Sequence, residues 1–293
     1  MALLSLFNQL IRKDLVRSGV ASRTVRLEGA EVHYYEAPGV GRAPPLLLVH
    51  GFGDSANTWY QLIGPLARSL GRVYALDLPG VGWSKLPEGR DHLNLEESIQ
   101  VVQAFCAEVI GEPCLLVGQS LGGAMVLRLG SRDVHPWIGV AGIAPAGARM
   151  TEHEWNELRG AFEVPDRAAA RALLQRIFND PPVPFVLIEQ DLRAVWRSTA
   201  VRKLMDSLRP EDFLTPEELA RIQAPTLVLW GTDERLLPST LLDYYRRHLP
   251  RARIEVVHGW GHAPQQERPQ ELAARLVPFA LGLAEGGQAA LAT

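Results

Sequence analysis

The stretch CLLVGQSLGGAMVLRLG, residues 114–130, decides how the rest of the chain is read. Cys114 to Gly118 is a short apolar run of strand type, and from Gly122 to Gly130 the pattern is helical. Between them Gly118, Gln119, Ser120, Leu121 and Gly122 form G-x-S-x-G, a motif that needs this strand, turn and helix context. A tight turn there lifts the Ser120 hydroxyl clear of the sheet. Glycines are required on both sides because a Cβ would collide with the neighbouring strand and helix. Ser120 is therefore the candidate nucleophile, and the search for its partners organises the remaining sequence.

Working outward, further apolar strands are predicted at Leu46 to His50, Val73 to Asp77, Ile138 to Ile143, Pro225 to Trp230 and Ile254 to Val257. Helical patterns alternate with them at Trp59 to Leu70, Leu95 to Ile110, Thr240 to Leu249 and Pro269 to Leu281. Continuous apolar strands alternating with helices imply βαβ units, hence a mostly parallel, doubly wound α/β sheet. Val25 to Leu27 and Val32 to Tyr35 read as an antiparallel hairpin at its edge. Asn94 with Glu97, and Thr215 with Pro216 and Glu218, carry helix-start signals. The alternation lapses at residues 149–223, which read as a helical cap inserted between a body at 21–148 and its continuation at 224–283. Within the cap Phe162, Ile177, Phe178, Phe185, Ile188, Trp196, Leu204 and Met205 recur at helical intervals and are expected to pack on the body or line a pocket. Residues 1–20 read as an amphipathic helix with Leu3, Leu6, Phe7, Leu10 and Ile11 on one side and Arg12, Lys13 and Arg17 nearby. That helix is expected to dock on the body, on a second copy or weakly on a membrane surface. Residues 284–293 read as a flexible tail.

Composition narrows the class. The chain has 293 residues, 47% hydrophobic and 22% charged, which excludes a disordered, collagen-like or disulfide-scaffold protein. The 30 Lys and Arg against 33 Asp and Glu give a net charge of −3, with no electrostatic footprint for nucleic acid. The cap is balanced too, so a neutral, largely apolar substrate is expected. Cys106 and Cys114 read as small buried hydrophobes. No apolar run reaches the roughly 18 residues that span a bilayer, and the N-terminus lacks signal-peptide features, so a cytoplasmic location is expected.

A serine nucleophile needs a base, and the base needs an orienting acid. His262 lies after the last strand in the loop Gly259, Trp260, Gly261, His262, Ala263, Pro264, where it can swing over the strand ends. His258 is four residues earlier, but the intervening glycines preclude the helix that would pair the two on a metal. His33, His92, His135, His153 and His248 have no companion acid visible in the sequence. Asp233 is the first carboxylate past the Leu227 to Trp230 strand and is the candidate acid. Asp77 is its rival, although Pro79, Gly80 and Gly82 suggest that it organises its own loop. Oxyanion donors are expected in the backbone N–H groups of Leu121, at a helix start, and of Phe52, in the loop His50 to Asp54. The His50 side chain is expected only to shape that loop.

With these pieces the sequence resembles the α/β-hydrolase superfamily, and the order Ser120, Asp233, His262 is the order of its triad. Ala144, Pro145, Ala146 and Gly147 at the cap mouth, with the long helical cap, look most like the monoacylglycerol-lipase-like carboxylesterases. The resemblance implies a serine esterase or lipase, without cofactor, acting through an acyl-enzyme. Two alternatives stay open at this stage. Carbon–carbon hydrolases of meta-cleavage type usually follow the catalytic histidine with tryptophan, where this chain has Ala263, and some receptors of this fold keep a triad while binding a small ligand.

Overall fold

The computed structural model describes residues 2–41, 43–132, 137–180 and 189–291. Its centre is an eight-stranded sheet in the order β1-β2-β4-β3-β5-β6-β7-β8. The strands are β1 (Ala21–Leu27), β2 (Ala30–Ala37), β3 (Leu46–Val49), β4 (Val73–Leu76), β5 (Cys114–Gln119), β6 (Trp137–Ile143), β7 (Thr226–Gly231) and β8 (Arg253–Val257). β1, β2 and β4 pair antiparallel, and all pairings from β4 through β3, β5, β6 and β7 to β8 are parallel. The edge hairpin and the doubly wound parallel sheet expected from the alternation are thus both present.

Helices cover both faces, which is why β3, β4, β5 and β7 are buried along their whole length. One face packs Leu47, Val49, Leu116, Met125 and Val228, and the other packs Leu48, Val117, Ile143, Leu229 and Trp260. Successive strand residues alternate between these two cores, each fully buried Leu, Val or Ile contributing about 1.5–3 kcal/mol. The helix starts read from sequence have the expected geometry. Asn94 and Glu97, and Thr215 and Glu218, form reciprocal capping boxes. Cys106 and Cys114 are free and buried.

Between β6 and β7 the described residues form helices and no strand: α5 (Glu152–Ala161), α6 (Arg167–Ile177), α7 (Glu189–Trp196), α8 (Thr199–Ser207) and α9 (Pro216–Ala220). In α7 the carboxylate of Glu189 is buried and paired with Arg167 and Arg171 of α6, which ties these two helices together. Phe185 and Ile188 lie outside the described residues, as does His135. The N-terminal helix α1 (Ala2–Arg17) presents two apolar stripes rather than one. Ile11 and Leu15 are buried against the body, with Phe7 packed beside them. Leu3, Leu6 and Leu10 face outward and are more than half exposed. The start of α1 is held from the α7 side, where the Asp191 carboxylate accepts the Leu4 N–H at 2.8 Å. Among the described residues no helix is long and apolar enough to cross a membrane.

The last helix runs from Pro269 to Leu291, into the residues expected to form a flexible tail.

Candidate active site

Ser120 sits between β5 and the helix Leu121–Gly130 with φ 53° and ψ −117°, a backbone conformation that residues with a Cβ rarely adopt. The strain is held by packing. A Cβ on Gly118 would lie 2.1 Å from the Gly122 carbonyl oxygen, and one on Gly122 would lie 2.3 Å from the Val49 carbonyl oxygen. The turn closes only because both positions lack one. The Ser120 N–H donates to the Ile143 carbonyl, and its own carbonyl accepts from Ala124 and Ala146, so the neighbouring strand and both flanking segments fix the elbow.

His262 lines the same pocket as Ser120, together with Phe52, Gln119 and cap residues Phe162, Ile177, Phe178 and Trp196. Its loop is anchored from two sides: the His262 N–H donates to the Ile177 carbonyl, and Gln119 Nε2 donates to the His262 carbonyl at 2.8 Å. The base candidate is thereby tied both to the cap and to the residue preceding Ser120.

The carboxylate beside the imidazole is Glu234, not the expected Asp233. His262 Nδ1 is 2.7 Å from Oε2 of Glu234, both side chains being buried, and Asp233 makes no contact with the imidazole. Asp233 is exposed, accepts from the Thr232 hydroxyl at 2.8 Å and is approached by Asn179 Nδ2 at 3.3 Å. The reason is the direction of the chain after β7. β7 ends at Gly231, and Thr232 and Asp233 form a turn: their N–H groups both donate to the β8 side, to the Val257 and Trp260 carbonyls, and the Glu234 N–H turns back to the Gly231 carbonyl at 3.4 Å. Position 233 faces solvent and position 234 faces the His262 loop. Glu234 is also locked from its other oxygen, Oε1, which accepts the N–H groups of Leu236 and Leu237 at 2.7 and 3.0 Å. Counting to the first carboxylate past the strand missed this. The turn that begins after Gly231 is what separates the two carboxylates.

The N–H groups of Phe52 and Leu121 have no acceptor among the described residues. Phe52 lines the Ser120 pocket, and its ring packs edge-on against Phe162 of the cap at 5.0 Å. His50 shapes the loop: Nδ1 lies 2.8 Å from the Gly51 carbonyl and Nε2 accepts the Leu78 N–H at 3.0 Å.

A Ser–His–Asp series of hydrogen bonds lies in the sheet, apart from Ser120. Ser22 Oγ is 2.8 Å from His33 Nε2, and His33 Nδ1 is 2.8 Å from Asp77 Oδ2. His33 thus has the companion acid that its sequence neighbourhood did not reveal. Asp77 does organise its loop, accepting the N–H groups of Ala56 and Trp83. Ser22, however, stands in mid-strand opposite Tyr35, with no strained turn and no helix N-terminus behind it. It lacks the electrostatic surroundings of Ser120.

Beside Ser120 a second, predominantly apolar pocket of about 60 Å³ runs under the cap, lined by Leu121, Met150, Trp155, Phe162, Met205 and Phe213. Trp155 and Phe213 pack edge to face at 5.7 Å and form its far wall.

Comparison with known proteins agrees with this fold. The alpha/beta hydrolase family matches residues 46–275. Similar relatives include the dihydrolipoyllysine-residue acetyltransferase component of the acetoin cleaving system of Pseudomonas putida, 27% identical over 89% of this chain and 70% of that protein. Monoacylglycerol lipase ABHD6 of Bos taurus is 23% identical over 89% of this chain and 82% of its own length. Among solved structures, a bacterial membrane phospholipase A superposes with a TM-score of 0.83 at 27% identity, covering 97% of this chain and 93% of that one.

Proposed function

Because the chain belongs to the alpha/beta hydrolase family, we propose that it is a serine hydrolase that cleaves neutral, largely apolar carboxylic esters, monoacylglycerols among them, through an acyl-enzyme. The observation that carries this reading is the buried His262–Glu234 pair on the pocket that holds the strained Ser120. With Nδ1 turned to Glu234, His262 keeps Nε2 for the serine proton. Ser120 Oγ attacks the ester carbonyl as Nε2 takes its proton, and the Phe52 and Leu121 N–H groups receive the oxyanion. Collapse expels the alcohol, which takes the proton back from His262. Water then attacks the acyl-enzyme by the same route and releases the acid. Each oxyanion donor is worth about 10²–10³ in turnover. The apolar pocket under the cap suits an acyl chain.

The test is labelling by a fluorophosphonate together with turnover of a p-nitrophenyl ester. Wild type is expected to be labelled at Ser120 and to turn over, and Ser120→Ala to do neither. Hydrolysis by Ser120→Ala at the parent rate would refute the assignment.

A further inference from the structure

A larger cavity, of about 480 Å³, lies on the other side of the donor loop, between α1, the segment Gly53 to Gln61 and helix α7. It adjoins the Ser120 pocket, since Gly53, Asp54, Leu192, Gln265 and Gln266 line both. Its size is within the range of small-molecule sites. One wall is apolar, from Leu4, Phe7 and Ile11 of α1. The inner end is polar and oriented. Gln265, 1% exposed, donates its Nε2 to the buried Thr58 hydroxyl at 3.1 Å, and Gln266 donates to the same oxygen. With both amide groups turned to Thr58, the side-chain oxygens of Gln265 and Gln266 are buried and have no hydrogen-bond donor among the described residues. Unmatched buried acceptors are costly, so their place beside a cavity points to a ligand that brings donors. The Asp54 carboxyl adds a further acceptor. Among the described residues no lysine or arginine lines the cavity, so none there would balance a phosphate.

Resting on the esterase reading above, we propose that this cavity is the subsite for the alcohol half of the ester, and that it takes a neutral polyhydroxy alcohol such as glycerol, whose two free hydroxyls donate to two of the three acceptors Gln265, Gln266 and Asp54. The acyl chain then occupies the apolar pocket under the cap, and the scissile bond spans the Ser120 elbow between the two. α1 is thereby a wall of the substrate site.

Three esters sharing one acyl chain test this: the methyl ester, the 1-glyceryl ester and lysophosphatidylcholine. Wild type is expected to show the highest kcat/KM on the glyceryl ester. Gln265→Leu, which removes the acceptor, and Asn8→Trp, which fills the cavity from α1 without touching the glutamines, are each expected to lower the glyceryl-to-methyl ratio about tenfold, mainly through KM. A ratio unmoved by both variants, or a preference for lysophosphatidylcholine, would overturn the subsite while leaving the esterase reading intact. Failure of wild type to hydrolyse any of the three, with no fluorophosphonate labelling, would overturn both.

Discussion

Replacing Glu234 with glutamine separates the acid from its neighbour. In the folded protein Glu234 Oε1 accepts two backbone N–H groups and Oε2 faces His262 Nδ1 at 2.7 Å. A glutamine would keep its carbonyl oxygen on Leu236 and Leu237, so the loop holds its shape. Its amide nitrogen then meets Nδ1 with a donor. The imidazole must accept there and carry its proton on Nε2, the wrong tautomer to take a proton from Ser120. Loss of the orienting acid in triad enzymes lowers kcat by about 10³–10⁴, equivalent to about 4–5.5 kcal/mol of transition-state stabilisation. Glu234→Asp keeps the charge but shortens the reach by one methylene, and a misplacement of about 1 Å costs about 10². Asp233→Asn, at an exposed carboxylate that does not touch the imidazole, is expected to stay within about twofold, as surface substitutions do. The assay is kcat on a soluble p-nitrophenyl ester, with thermal unfolding to show that each variant folds. If Asp233→Asn lost activity and Glu234→Gln kept it, the assignment of the acid would be refuted.

Other outcomes follow from the same geometry. In a p-nitrophenyl ester series kcat/KM should rise about fourfold per methylene, from about 0.8 kcal/mol of burial each, until the apolar pocket is full. Phe213→Ala, which opens its far wall, should move that limit to longer chains. Ser22→Ala should cost about 1 kcal/mol in denaturant unfolding and leave turnover unchanged, because the Ser22–His33–Asp77 series is structural. In the cap, hydrogen bonding to Arg167, aided by the charges of Arg167 and Arg171, holds the Glu189 carboxyl below its ordinary 4.5. Its ionised form therefore stabilises the fold above that pH, and the contribution disappears as pH falls through the lowered value. The Tm gap between wild type and Glu189→Gln should be open at about pH 7 and narrow as pH falls below the ordinary carboxylate range.

What could be read from the sequence was whatever local sterics or periodicity dictate. The elbow was legible because only glycine permits the approach of Gly118 to Gly122 and of Gly122 to Val49. His262 was legible because a glycine-flanked loop after the last strand leaves few other places for a base. The choice between Asp233 and Glu234 was not, since it depends on the turn at Thr232 and Asp233 and on which side each carboxylate then faces. The His33–Asp77 contact was also hidden, because it joins β2 to the end of β4 across 44 residues.

The N-terminal helix shows the same limit more sharply. Its sequence carries one broad apolar band, and nothing local divides Leu3, Leu6 and Leu10 from Phe7, Ile11 and Leu15. The division comes from the body, which buries the second set and leaves the first exposed. Docking α1 by its inner stripe also closes the cavity over the Gly53 to Gln61 segment. A helix that reads as an appendage at the chain's start thus borders the proposed alcohol subsite, and its polar positions Ser5 and Asn8 face the same space as Gln265 and Asp54. Substitutions there should act on substrate choice before they act on stability. Asn8→Trp can show this directly, because it alters the cavity without removing any contact that holds Ser120, His262 or Glu234.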